Sequence, residues 1–188
     1  MSGPAPHEVR RRALHLASGS LALAVFLPPR TVVPALLVLV ALACGLEAWR
    51  RRAARVGRSP FGAGVEALFR ATERGAVSGA TLLAVGYLAA WLVAPGATAG
   101  RAMLVAATAD PAGAAVGTRF ARTAGRKTWA GTLGAFLVAA AVLLATNLPA
   151  LHALAGAAAA AAAERLPWRG VDNVAVPVIT AAVLRLLG

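Results

Sequence analysis

The sequence predicts an all-α polytopic integral membrane protein: about seven transmembrane helices, N-terminus cytoplasmic, C-terminus outside, one membrane domain over residues 1–188. Three observations predict it. Of the residues, 59% are hydrophobic and 14% charged, and mean hydropathy is +0.71; a soluble domain has about half its residues apolar and about a quarter charged. The apolar residues fall into runs at roughly 13–28, 31–49, 75–95, 101–118, 131–148, 149–164 and 172–187. With the N-terminus in the cytoplasm, sixteen of the nineteen Lys and Arg residues face that side, and only Arg30, Arg101 and Arg185 lie outside. That asymmetry is what the positive-inside rule expects. The cytoplasmic loops are then 50–74, 119–130 and 164–171, and the expected location is the inner (plasma) membrane.

The net charge of +12 would suit nucleic acid, but the arginines sit between apolar runs and the few aromatics do not interleave with them. Nucleic-acid binding is therefore excluded on patterning. Arg10 to Arg12 precede the first apolar run as in a signal peptide. No small-residue cleavage site follows and further spans do, so this run is a first membrane helix. The second run carries Cys44, the single cysteine, expected to be a small buried hydrophobe. It also carries Glu47, one turn before Arg50, which predicts an intrahelical ion pair. In loop 50–74, Phe61, Val65, Leu68 and Phe69 share one face, which predicts a short interfacial helix. Trp49, Trp91 and Trp168 are expected at the membrane interfaces as an aromatic belt. Trp129 is expected in that belt or as a face on which a base stacks. The alanine run 157–163 in the sixth helix is expected to let neighbouring helices approach closely. A homodimer formed through it is a further conjecture.

The most informative stretch is 106–136. It places Asp110 and Pro111 inside an apolar helix, then runs through a basic, glycine-punctuated loop into the next helix. A carboxylate at membrane depth costs at least a few kcal/mol and is normally kept for ions, protons, substrate or a bundle partner. Asp110, Ala114 and Gly117 share a helical face with Gly113 beside it, so a helix or ligand can come close. Pro111 is expected to kink the helix and free a carbonyl near Ala107. The plain alternative is an aspartate that pairs with an arginine or serine in helix packing. Behind it lie Arg119, Arg122, Arg126 and Lys127, the only lysine in the chain; a compact ammonium suits a phosphate oxygen as a point charge. Glu164 and Asp172 flank a turn that contains Pro167 and Gly170. Asp172 with Asn173 would cap the last helix, whereas Glu164 stands at a helix C-terminus whose dipole disfavours it. Two such carboxylates, with a third from another helix, are able to hold Mg²⁺ through oxygen ligands and waters.

These motifs resemble the CTP-dependent lipid kinases, the family of dolichol kinase, phytol kinase and a diacylglycerol kinase branch, and its small bacterial members in particular. The resemblance rests on RRALH at 11–15, LFRATERGAVSGATLLAVGY at 68–87, ADPAGAAVGTRFAR at 109–122, RKTWAGTLGAF at 126–136 and ERLPWRGVDNVAVP at 164–177. Two positions depart from it: Ala130 stands where the family commonly has glutamate, and Pro111 where a small polar residue is usual. The resemblance implies phosphoryl transfer from CTP, with Mg²⁺, to a membrane lipid alcohol such as a polyprenol, a phytol-type alcohol or diacylglycerol. It implies Asp110 as the carboxylate that orients or deprotonates the hydroxyl, with a magnesium ligand as its alternative role. Arg119, Arg122, Arg126, Lys127, Thr128, Gly131 and Thr132 would hold the nucleotide phosphates. Glu164, Asp172 and Asn173 would hold the metal, and Arg11, His15, Arg70 and Glu73 would form a second tier. The alternatives are cytidylyl transfer to a lipid phosphate, and a small proton- or cation-coupled transporter that uses Asp110.

Overall fold

The structure, a computed structural model, describes residues 6–58, 61, 65, 76–120, 127–166 and 170–188. Every regular element among them is helical: α1 (Pro6–Ser18), a 3₁₀ run (Gly19–Phe26), α2 (Pro29–Arg55), α3 (Gly79–Val93), α4 (Ala97–Phe120), α5 (Trp129–Ala145), α6 (Ala150–Glu164) and α7 (Asp172–Leu187). Seven α-helices correspond to the seven predicted runs. Only α2 is long and apolar enough, among the described residues, to cross a membrane by length and composition alone; α3, α5 and α6 are shorter apolar helices.

The first run is the one that differs in kind. It divides at Ser18 into α1 and the 3₁₀ segment, and Gly19 and Ala22 of that segment are buried against the assembly. The tighter winding brings the run onto α4. α2 also continues well past residue 49, so the start of the predicted 50–74 loop is helical. Of the predicted interfacial helix, only Phe61 and Val65 lie within the described residues. Phe61 meets the Trp49 ring edge-on, with centroids 5.4 Å apart.

The interior is built from small side chains. Ala99, Ala102, Ala107, Ala139, Ala153 and Ala157 are fully buried, while Leu23, Phe26, Leu37, Leu42, Leu137 and Leu151 are exposed. Small residues let helix backbones approach, as the α4–α5 crossing shows. A Cβ on Gly113 would stand 2.9 Å from the Gly131 carbonyl oxygen, and one on Gly131 would stand 3.2 Å from the Gly117 Cα. α4 is central, in contact with α5, α7, α3, α6, α1 and the 3₁₀ run, whereas α2 packs on α3.

Three expectations are corrected. Cys44 is exposed, because α2 buries only the stripe of Val32, Leu36, Glu47 and Arg50 and Cys44 lies off it. Trp91 is 2% exposed: α3 is enclosed by α2, α4 and α7, so the ring joins the core and not an interface. The N-cap of α7 is Val171, without a side-chain cap bond, although Asp172 Oδ1 does accept from the Asn173 N–H at 3.1 Å. The small face of α6, which includes Gly156, Ala157, Ala160 and Ala161, is buried within the chain. That face packs against α5 and α7.

Candidate functional site

Residues 11, 15 and 18 recur at helical spacing along one face of α1, and this face lines a cavity of about 380 Å³. α3 contributes Ser78, Gly79, Ala80, Leu83, Ala84 and Tyr87; α4 contributes Asp110, Pro111 and Ala114; α7 contributes Asn173. Leu21 of the 3₁₀ run and Leu39 and Ala43 of α2 complete the apolar wall, and Arg12 joins Arg11 at the polar end. The volume lies in the ~300–1,000 Å³ range of small-molecule sites, which pair apolar walls with a few polar groups.

Hydrogen bonds hold the polar wall in place. His15 Nε2 lies 3.1 Å from the Ala106 carbonyl oxygen. That carbonyl adjoins Ala107, whose own carbonyl lacks a helical donor because Pro111 has no N–H. The helix itself continues through Pro111 without interruption. The Ser18 and Tyr87 hydroxyls are 2.9 Å apart, and Tyr87 also donates to the Met103 carbonyl at 3.3 Å. Ser78 caps α3 by accepting from the Thr81 N–H. It is tied further to a buried ion pair: Arg50 Nη2 meets Glu47 Oε1 at 2.7 Å, and the Ser78 N–H donates to Glu47 Oε2 at 3.4 Å. The predicted Glu47–Arg50 pair is therefore present and joins α2 to the start of α3. Arg51 adds a second bond to Glu47 Oε1 at 2.8 Å. Asp110, by contrast, has no hydrogen-bond or ion-pair partner among the described residues, so none of the arginines or serines among them forms the expected packing pair.

A second polar cluster adjoins the first. The Lys127 ammonium stands 3.1 Å from Asp172 Oδ2 and 3.4 Å from Glu164 Oε1, and also donates to the Glu164 backbone carbonyl. A cation at that helix C-terminus offsets the negative dipole end that Glu164 would otherwise worsen. Glu164 Oε2 is buried and has no hydrogen-bond partner among the described residues. Asp172 faces this cluster while its neighbour Asn173 lines the cavity, and Asp110 is close enough to Glu164 for their charges to interact. Gly170, at φ +80°, makes the left-handed turn that brings α7 back beside α6.

The remaining predicted residues are distributed as follows. Thr128 caps α5, its Oγ1 accepting from the Gly131 N–H at 3.0 Å, so that N–H is already engaged. Thr132 Oγ1 donates to the Thr128 carbonyl at 3.2 Å and accepts from Arg165 Nη1 at 3.0 Å. Arg119 is exposed in the last turn of α4. The Arg165 guanidinium lies 3.9 Å over the Trp129 ring, a cation–π contact that takes one face of that indole. Arg70, Glu73, Arg122, Arg126 and Trp168 lie outside the described residues. Sequence reasoning passed over Arg12, Ser18, Ser78 and Tyr87. Ser18 was open to discovery as the next residue on the Arg11–His15 face, and Tyr87 as the only tyrosine, placed inside an apolar helix.

Among the described residues no group of three or more His, Cys, Asp or Glu side chains is placed to hold a metal ion. Glu164 and Asp172 nevertheless fit one end of a Mg²⁺–nucleotide site, because Mg²⁺ is usually held by one or two carboxylates plus phosphates and water. The orphaned Glu164 Oε2 has a lone pair available for that purpose. No family model, curated protein or solved structure matches this chain.

Proposed function

We propose that this protein is a kinase of the inner membrane that transfers a phosphoryl group from CTP to a lipid alcohol. The observation that carries the reading is an amphiphilic cavity, lined by Asp110, which has no hydrogen-bond or ion-pair partner among the described residues, by Arg11, Arg12, His15 and Asn173, and by leucine, alanine and tyrosine walls. A hydroxyl headgroup with an apolar chain matches that division. The proposed membrane setting, seven spans with N-in and C-out, is supported by the large apolar side chains on the outer surface. It is also supported by Arg101 and Arg185, two of the three cations assigned to the opposite side. They bind Thr146 and the Val93 carbonyl at helix ends remote in sequence from the Lys127 cluster.

Phosphoryl transfer depends on positioning and charge neutralisation more than on covalent chemistry. Asp110 accepts the hydroxyl proton as the alcohol oxygen bonds to the γ-phosphorus. The bond from that phosphorus to the β–γ bridging oxygen breaks, and CDP leaves with the bridging oxygen. Arg11 and Arg12 supply positive charge at the cavity end where the transferred group arrives. Mg²⁺, held by Glu164 and Asp172 with Asn173 nearby, would neutralise phosphate charge. Lys127, engaged by the two carboxylates, would turn to phosphate oxygens when nucleotide binds, joined by Arg119, Arg122 and Arg126.

The test is purified protein in detergent with labelled CTP or ATP and a panel of isoprenoid alcohols and diacylglycerol. The expected products are CDP and a lipid phosphate, with Asp110→Asn abolishing both. Pyrophosphate and a cytidine-bearing lipid would replace the kinase reading with cytidylyl transfer. Absence of any lipid product with every pair would refute both.

A further inference from the structure

The five arginines between residues 50 and 58 divide into two sets. Arg50 and Arg51 turn inward: both bond Glu47 Oε1, at 2.7 and 2.8 Å, and Arg50 Nη2 also donates to the Ala76 carbonyl at 2.9 Å. Arg52, Arg55 and Arg58 are exposed, and their side chains have no hydrogen-bond or ion-pair partner among the described residues. The end of α2 holds this outer set together. The Arg58 N–H donates to the Ala53 carbonyl at 2.9 Å and the Gly57 N–H to the Ala54 carbonyl at 3.1 Å, with Gly57 at φ +69°. This left-handed closure ends the helix and keeps Arg58 beside its last turn.

The outer set continues an apolar stripe. Leu42, Leu46 and Trp49 are exposed and recur at three- and four-residue spacing; Arg52 follows Trp49 at the same interval. In the proposed membrane setting the lipid-facing stripe of α2 therefore passes through an interfacial tryptophan into arginine. The distances agree. The 27 residues of α2 measure about 40 Å at ~1.5 Å per residue, about 10 Å more than a hydrocarbon core of about 30 Å. Arg52 and Arg55 stand about 5 and 9 Å beyond Trp49 along the axis, and the headgroup layer on each side of a bilayer is about 5–8 Å deep.

We infer that Arg52, Arg55 and Arg58 form a docking surface for the anionic phospholipid headgroups of the cytoplasmic leaflet. The inference rests on the membrane setting proposed above and is independent of the kinase chemistry. A guanidinium fork takes two phosphate oxygens at once, and a basic cluster directly beyond a span draws acidic lipid. A zwitterionic headgroup brings its own cation to compete with the arginines, whereas an anionic one does not. Each arginine near the surface should give roughly a five-fold preference for anionic over zwitterionic lipid.

The experiment incubates the full chain in detergent with equal amounts of phosphatidylglycerol and phosphatidylcholine and counts retained lipid by native mass spectrometry. The expected result is retention of phosphatidylglycerol more than tenfold over phosphatidylcholine. The triple change Arg52→Gln, Arg55→Gln and Arg58→Gln, at exposed positions, should bring the two close to parity. Arg30→Gln, at the other end of α2 and also exposed, should leave the preference in place. Equal retention by the unaltered chain, persistence of the preference in the triple variant, or displacement of phosphatidylglycerol by an equal concentration of inorganic phosphate would overturn the inference. Flotation of the chain with phosphatidylcholine vesicles tests the setting separately. A chain that fails to float removes the setting and the docking surface together; one that floats without lipid preference removes the docking surface alone.

Discussion

Replacing Gly86 with alanine places a methyl group where α3 crosses the first turn of α7. The new Cβ would overlap the Asn173 carbonyl oxygen and stand 3.0 Å from both Pro177 Cγ and Val174 Cα. Two of those three neighbours are backbone atoms, so relief requires the helices to separate and not merely a rotamer change. Overpacking of this kind costs about 1–3 kcal/mol. The gain in helix propensity from glycine to alanine returns about 1 kcal/mol, leaving a net loss of up to about 2 kcal/mol. For a chain of this size each kcal/mol shifts the unfolding midpoint by about 2–4 °C, so Gly86→Ala should unfold as much as about 8 °C lower. The matched control is Gly45→Ala on α2, where an added Cβ meets nothing within 4 Å and the propensity gain of about 1 kcal/mol stands alone. Thermal unfolding in detergent, followed by circular dichroism, reads both. If Gly86→Ala unfolds at or above the Gly45→Ala midpoint, the close α3–α7 crossing is wrong, and with it the placement of Asn173.

Removing Lys127 leaves two partly buried carboxylates side by side. Lys127→Met should destabilise by about 1–2 kcal/mol, between the values for exposed and buried pairs, and a cycle with Asp172→Asn should recover a coupling of about 1 kcal/mol in the same unfolding assay. Glu47→Ala strips the buried Arg50 of its carboxylate partner and should cost about 3 kcal/mol; Glu47→Gln should cost clearly less. Cys44, exposed on the apolar outer face of α2, should resist a charged maleimide in intact proteoliposomes and react after denaturation in SDS. Ready modification in the intact vesicles would place that face in water and end the proposed membrane setting.

The run lengths by themselves determined that the described residues form an all-helical protein with seven α-helices matching the seven apolar runs, because apolar segments broken by Pro, Gly and Arg clusters leave little other backbone solution. Spacing also determined the Glu47–Arg50 pair, since contacts one turn apart on a helix are local. Which faces turn inward was a tertiary decision. Trp91 is buried and Cys44 exposed because α3 has helices on several sides and α2 on one, and neither residue's identity encodes the number of its neighbours. The same holds at the site. Lys127, Glu164 and Asp172 each looked suited to phosphate or metal by chemistry alone, but only packing brought them within 3.4 Å of one another. Packing also carried α1 over α3 and α4, uniting His15, Tyr87 and Asp110 in one cavity. Hydropathy sees residues one helix at a time, whereas a cavity is a relation among helices, set by where glycine and alanine let their backbones meet.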